Sequence, residues 1–174
     1  MYIPIILGTG REGRASEKVA KFVSDQLSLS GNITEIIDVR DHGARATWEP
    51  SPMTVEYKRK IKEADGVIVV SPEYNHGYPG ELKMLLDSAY DEYFGKPMGI
   101  CGVSIGILGG ARMIEQLRLV SIELHMIPMR EAVMFSNVGK LFDDKGAIID
   151  PSYGDRLKKL IDEIMSRAPK KQAV

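Results

Sequence analysis

Three short segments carry residue types that could do chemistry. The first is Gly8-Thr9-Gly10-Arg11-Glu12-Gly13-Arg14-Ala15-Ser16. Its glycines let the backbone turn tightly and present N–H groups. A helix opening at Ser16 adds its positive dipole end. Arg11 and Arg14 add fixed charge, and Thr9 and Ser16 add hydroxyl donors. This is a donor set for a phosphate. The segment supports two other readings. Gly8-x-Gly10-x-x-Gly13 matches the dinucleotide fingerprint, with Asp38 placed as the ribose-binding carboxylate. It also reads as a plain tight turn, with its arginines solvated or paired with Glu12 and Glu17. Two arginines suit a phosphate monoester better than a pyrophosphate approached by bare backbone. A P-loop is excluded, because Arg14-Ala15 stand where Lys and Ser or Thr are needed.

The second segment is Pro72-Glu73-Tyr74-Asn75-His76-Gly77-Tyr78-Pro79-Gly80. Its prolines and glycines impose a special backbone path. Tyr74, His76 and Tyr78 offer flat surfaces, and Asn75 offers an amide. Such a loop cups a planar heterocycle and reads its edge with backbone groups. The third is Ser104-Ile105-Gly106-Ile107-Leu108-Gly109-Gly110-Ala111-Arg112, whose glycines permit close approach of a flat ligand. Ordinary strand-to-helix punctuation is the alternative for each of these two loops. Together the three describe a ligand with a phosphate at one end and a planar ring at the other, and flavin mononucleotide (FMN) has that shape.

The elements that must position these loops follow from hydrophobic patterning. Strands are expected over 3–7, 33–39, 66–71, 98–103 and 128–135, all strongly apolar. Helical spacing marks 16–29, 54–64, 80–90, 111–125 and 153–167, with Ser16 as a natural N-cap. Residues 40–52 form a loop with the only tryptophan, Trp48. Strict β-α alternation predicts an α/β three-layer sandwich with a parallel sheet. At this length the economical topology is flavodoxin-like, five parallel strands in the order 2-1-3-4-5. Ligands of such sheets bind beyond the strands' carboxyl ends, where the three loops meet.

Composition bounds the rest. The chain has 174 residues, enough to bury about 70% of its surface around one core. One domain over 1–168 is expected, with a frayed basic tail over 169–174. The net charge of −1 gives no overall drive toward nucleic acid or an anionic membrane. A single cysteine, Cys101, excludes an internal disulfide, a Cys-based zinc site and a Cys-ligated iron–sulfur cluster. It reads as a small buried hydrophobe. His42 and His125 are far apart, so no metal site is expected. No apolar run is long enough to span a membrane. With no basic leader at the N-terminus, cytoplasmic localisation is the expectation.

The three segments resemble the NADPH-dependent FMN reductase family, which includes quinone, chromate and azo-dye reductases of flavodoxin-like fold. Gly8, Thr9 and Arg11 match its first-loop pattern Gly-Ser-x-Arg-x-x-Ser-x-Asn, with Thr for Ser. Arg14 stands where the second Ser is usual, and Ser16 where Asn is usual. Pro72-Glu73-Tyr74-Asn75 followed by Pro79-Gly80-x-Leu82-Lys83 is similar to the family's signature at the isoalloxazine ring. Ser104, Gly106, Gly109, Gly110 and Arg112 follow the third loop, with Ile105 where Pro is common. The resemblance spans residues 3–135. It implies a non-covalent FMN, NADPH or NADH as electron donor, and a homodimer or homotetramer.

On this reading Thr9, Arg11, Arg14 and Ser16 grip the phosphate. Pro72, Glu73, Tyr74, Asn75 and His76, with Ser104, Gly106, Gly109, Gly110 and Arg112, edge the ring. Arginines near the site, such as Arg40, Arg45 or Arg112, are candidates to hold a 2′-phosphate. No catalytic side chain is expected, because the flavin carries the chemistry. Hydride would pass from nicotinamide to flavin N5, then to a small-molecule acceptor by ping-pong. The alternative is a flavodoxin-like electron carrier or redox sensor acting through a protein partner. Reduction only by such a partner, without direct NAD(P)H oxidation, would identify it.

Overall fold

A computed structural model describes residues 1–42 and 50–169. Trp48, Arg45 and the tail over 170–174 lie outside the described residues. The elements run β1 (Ile5–Leu7), α1 (Ser16–Leu29), β2 (Ile36–Asp38), α2 (Pro52–Glu63), β3 (Val67–Pro72) and α3 (Gly80–Leu86). They continue with β4 (Pro97–Val103), α4 (Ala111–Glu123), β5 (Ile127–Phe135) and α5 (Ser152–Arg167). The sheet is five-stranded in the order β2-β1-β3-β4-β5, and every pairing is parallel. Alternation and order are as the sequence pattern predicts.

Strand β3 illustrates why the sheet is buried on both faces. Ile68 and Val70 point into one core with Val19, Val23 and Leu27 of α1 and Leu157, Leu160 and Ile164 of α5. Val67 and Val69 point into the other with Tyr57 and Ile61 of α2, Leu82 and Leu86 of α3, and Met113 and Leu117 of α4. Period-2 alternation therefore delivers apolar side chains to both layers. Cys101 of β4 is fully buried in the first core, and burial pushes its thiol far above the ordinary range. It is a packing residue there.

The boundaries differ from the sequence pattern in three informative places. Helix α2 begins at Pro52, not Thr54, because Ser51 and Thr54 form a reciprocal cap. Ser51 Oγ accepts from the Thr54 N–H at 3.1 Å, and Thr54 Oγ1 accepts from the Ser51 N–H at 2.7 Å. Pro52 then sits at the first helical position, where no N–H is needed. Helix α3 stops at Leu86, four residues short of Tyr90; the Ser88 hydroxyl donates back to the Leu85 carbonyl at 2.5 Å, and a 3₁₀ turn over Asp91–Tyr93 follows. Ser16 is the first residue of α1 rather than its cap; Ala15 holds the cap position with no side-chain bond.

Gly102 in β4 is where the sheet meets the third loop most closely. A Cβ there would lie 2.3 Å from the Gly109 carbonyl oxygen and 3.3 Å from Gly110 Cα. Backbone cannot swing away as a side chain does. Gly102→Ala is expected to cost about 3 kcal/mol through overpacking. Thermal unfolding should show the melting temperature falling by roughly 6–12 °C. An unchanged melting temperature would contradict this close contact.

Candidate functional site

The first loop leaves β1 at Leu7, and the Gly8 N–H extends the ladder to the Val70 carbonyl at 2.9 Å. A Cβ at Gly8 would come within 2.9 Å of Ser71 Oγ, so the turn needs glycine. Two arginines then brace the loop from below. Arg40 Nε donates to the Gly10 carbonyl at 3.1 Å, and its Nη2 to the Arg11 carbonyl at 2.6 Å. Arg14 turns inward, its side chain only 2% exposed. Its guanidinium donates to the Thr9 carbonyl and grips both oxygens of Asp38, with Nη1–Oδ1 at 2.8 Å. Burial alone would raise the Asp38 carboxyl. The Arg14 guanidinium and the Arg40 N–H outweigh it and hold the group below the usual carboxylate range. Asp38 is thus committed to Arg14 and to the Arg40 N–H, which tells against its use on a ribose.

Arg11 is placed differently. It is exposed, lines the cavity described below, and its guanidinium has no hydrogen bond or ion pair among the described residues. Ser16 is buried, and its hydroxyl has no partner among the described residues. Ser16 lines the same cavity at the start of α1, which no side chain caps; the first N–H groups of a helix lack intrahelical carbonyls, although the Glu17 N–H reaches the Arg14 carbonyl at 3.4 Å.

The second loop is a two-residue hairpin turn. Tyr74 and Gly77 exchange N–H···O bonds of 2.9 Å in both directions. Asn75 and His76 between them both have left-handed φ, 49° and 69°. That is a type I′ turn, in which Asn is well tolerated and His less so. Gln116 of α4 fixes it by donating to the His76 carbonyl at 2.8 Å. Glu73 faces α4 and is bonded across to the third loop. Its carboxylate accepts from Arg112 Nε at 2.6 Å and from the N–H groups of Arg112 and Met113 at 3.2 and 3.4 Å. Burial would raise this carboxyl too, but the Arg112 guanidinium and those N–H groups bring it below the ordinary range.

The third loop is pressed onto the sheet. Gly109 and Gly110 are left-handed, with φ of 57° and 83°. Cβ atoms there would meet Met134 Cβ at 2.7 Å and Gly102 Cα at 3.1 Å. Their closest approach is to β4 and β5. The Ser104 hydroxyl accepts from the Gly106 N–H at 3.0 Å, and the Val138 N–H donates to the Ser104 carbonyl at 3.0 Å.

A cavity of about 330 Å³ opens among the three loops. Its first-loop wall holds Thr9, Arg11, Arg14 and Ser16, with Gly13 and Ala15. Pro72, Glu73 and Tyr74 line it from the second loop, and Ser104 from the third. Asn75, His76, Gly106, Gly109, Gly110 and Arg112 are not in its wall. Of the cations considered for a 2′-phosphate, Arg40 is spent on loop carbonyls, Arg112 on Glu73, and Arg45 is not described.

The sequence pattern does not single out Val103, Ile105 and Val138, which complete the wall. Val103 and Ile105 flank a residue it does single out. Val138 comes from the turn after β5 and has no local signal. It also misses Glu81, in the first turn of α3, which accepts from the Thr9 hydroxyl at 3.1 Å and the Gly10 N–H at 3.0 Å. A glutamate there reads as an ordinary dipole partner.

Comparison with known proteins adds an independent line. Residues 1–140 match the family described as NADPH-dependent FMN reductase. A quinone reductase of Escherichia coli K12 is 30% identical over 168 residues, covering 90% of this chain and 89% of that one. The NADH-dependent flavin reductase subunit 2 of Lactobacillus johnsonii is 30% identical, covering 76% of each chain. Among solved structures, the Paracoccus denitrificans flavoenzyme NAD(P)H:(acceptor) oxidoreductase FerB superposes with a TM-score of 0.83. It shares 20% identity and covers 97% of this chain and 99% of its own, so that likeness speaks to fold.

Proposed function

The chain belongs to the NADPH-dependent FMN reductase family, and from that premise we propose that it is an NAD(P)H oxidoreductase whose cavity holds FMN non-covalently. The observation that carries this reading is that the buried Ser16 hydroxyl and the Arg11 guanidinium, both in the cavity wall, have no partner among the described residues. A buried hydroxyl without a partner costs free energy that a ligand oxygen would recover. The start of α1 supplies N–H groups beside it. These groups fit a phosphate, and the apolar Val103, Ile105 and Val138 with the face of Tyr74 fit the rest of a flavin.

A bound FMN would supply the redox chemistry, the transfer of hydride from NADPH or NADH to a quinone, free flavin, azo compound or metal oxyanion. The chain's own residues bind and orient. Arg11 and Ser16 hold the phosphate directly. Arg14 and Arg40 hold the loop that presents them, through Asp38 and the carbonyls of Thr9, Gly10 and Arg11. The Glu73–Arg112 pair locks the second loop to the third, so the ring edge would be met by rigid backbone.

The three loops converge on one cavity of about 330 Å³ at the carboxyl ends of the strands. Donor and acceptor would therefore take turns at one face. Initial rates with NADPH and a quinone should give parallel double-reciprocal lines; intersecting lines would mean both substrates bind together and would contradict alternation. The reading includes a homo-oligomer. Ile105 and Ile107 of the third loop, and Leu119 and Ile122 of α4, stand exposed in one chain. A second copy would cover them and wall the cavity. Sedimentation as a 19.3 kDa monomer at micromolar concentration would contradict this.

A further inference from the structure

Thr9 Oγ1 sits at the centre of a hydrogen-bond chain that the sequence pattern does not reveal. It lies 3.1 Å from Glu81 Oε1, 3.0 Å from the Tyr74 hydroxyl and 3.3 Å from the Arg11 N–H. Glu81 Oε1 also accepts the Gly10 N–H at 3.0 Å. The donors and acceptors can be assigned from chemistry alone. An ionised carboxylate only accepts, and a backbone N–H only donates. A threonine hydroxyl has one proton. That proton goes to Glu81, so Thr9 Oγ1 must accept from both Arg11 N–H and Tyr74 O–H. The Tyr74 hydroxyl has then spent its proton on Thr9. What it has left to offer the cavity it lines is a lone pair.

We propose that Glu81 is a positioning residue that, through Thr9, sets the Tyr74 hydroxyl as a hydrogen-bond acceptor in the cavity. Beside Tyr74 the site takes a ligand O–H or N–H, such as a hydroxyl of a polyol chain, and disfavours a phosphate oxygen. The same chain withdraws the Thr9 hydroxyl and the Gly10 N–H from anion binding. The phosphate grip is thereby left to Arg11, Ser16, the start of α1 and the buried Arg14 Nε–H, which has no hydrogen-bond partner among the described residues. Thr9, expected from sequence as a phosphate donor, becomes instead the element that reverses the polarity of Tyr74. The inference rests on the FMN reading of the cavity.

FMN and riboflavin separate the two contributions, because both carry the ribityl hydroxyls and only FMN carries the phosphate. Calorimetric titration of the full-length wild type with each ligand gives a ratio of dissociation constants as the reference. Tyr74→Phe removes the acceptor. It should weaken FMN and riboflavin by the same factor, about 3- to 10-fold for one neutral hydrogen bond. A loss confined to FMN would mean that Tyr74 donates to phosphate, and would overturn the proposal. So would no loss with either ligand.

Thr9→Val keeps the shape and breaks the chain. The freed Tyr74 proton can then turn to the cavity, and preference for FMN over riboflavin should rise about 3- to 10-fold. A fall in that preference would mean that Thr9 itself donates to phosphate; an unchanged preference would mean that the chain does not set polarity. Either result overturns the proposal. Glu81→Leu should raise the preference in the same direction, and adding Tyr74→Phe to Thr9→Val should remove the rise. Should Glu81→Leu fail to fold, Thr9→Val still decides. If the wild type binds neither ligand, the FMN reading has failed instead, so the two failures are distinguishable.

Discussion

Arg11→Ala is expected to raise the dissociation constant for FMN about 10- to 100-fold while leaving the melting temperature unchanged. The other guanidinia near the cavity already have partners. Arg14 is spent on Asp38, Arg40 on the carbonyls of Gly10 and Arg11, and Arg112 on Glu73. Arg11 alone among these guanidinia has no partner among the described residues. A hydrogen bond to a charged group contributes roughly 1.5–3 kcal/mol, which is the basis of the expected factor. Riboflavin lacks the phosphate, so its affinity should scarcely move. Exposed substitutions that break no contact change stability by about 0.5 kcal/mol or less. Titration of both ligands with both proteins checks this. An equal loss for FMN and riboflavin, or no loss for either, would move the phosphate grip to another residue.

Asp38→Ala should act in the opposite way, through the fold first. It leaves the Arg14 guanidinium, 2% exposed, without its carboxylate. Removing one partner of a buried pair costs about 3–5 kcal/mol. The low end is expected, because the Asp38 side chain is 21% exposed and water can reach the gap. Denaturant unfolding should therefore show a loss of about 3 kcal/mol. Asp38→Asn separates charge from shape, and its cost depends on pH. The folded carboxyl is held below its ordinary value, so its contribution is complete above about pH 4 and is lost as pH falls through the folded value. The gap between wild type and Asp38→Asn should be full at pH 7 and narrow below about pH 4. A gap independent of pH would mean that packing, rather than the ion pair, carries the effect. Because Arg14 also holds the Thr9 carbonyl, FMN affinity should fall in these variants as well.

These two arginines show where sequence reading reaches its limit. Both stand in one glycine-rich loop three residues apart, and both suit a phosphate by charge. Only the folded chain brings Asp38, twenty-four residues on, against one of them and not the other. The fold itself was legible, because apolar strands such as Val67–Pro72 and amphipathic helices such as Ser152–Arg167 carry their periods locally. Strand order followed from alternation and length. The loops were located for the same reason, since each begins where an apolar strand ends.

What each loop side chain touches was not legible. Glu73 bonds to the third loop, and Asn75 and His76 supply a left-handed turn outside the cavity wall. Gly109 and Gly110 are needed for contact with β4 and β5. Val138 reaches the wall from a turn without any motif. All of these are tertiary facts, fixed by which neighbour the fold supplies.

On the proposed reading, the cavity between the three loops binds FMN and uses it to oxidise NAD(P)H. The most direct measurement is the visible spectrum of the purified protein, loaded with FMN and kept under anaerobic conditions, during titration with NADPH. A protein-bound flavin spectrum should bleach at about one equivalent of NADPH per flavin and return when a quinone is added. A protein that takes up no FMN, or whose bound flavin stays oxidised with both NADPH and NADH, would contradict it.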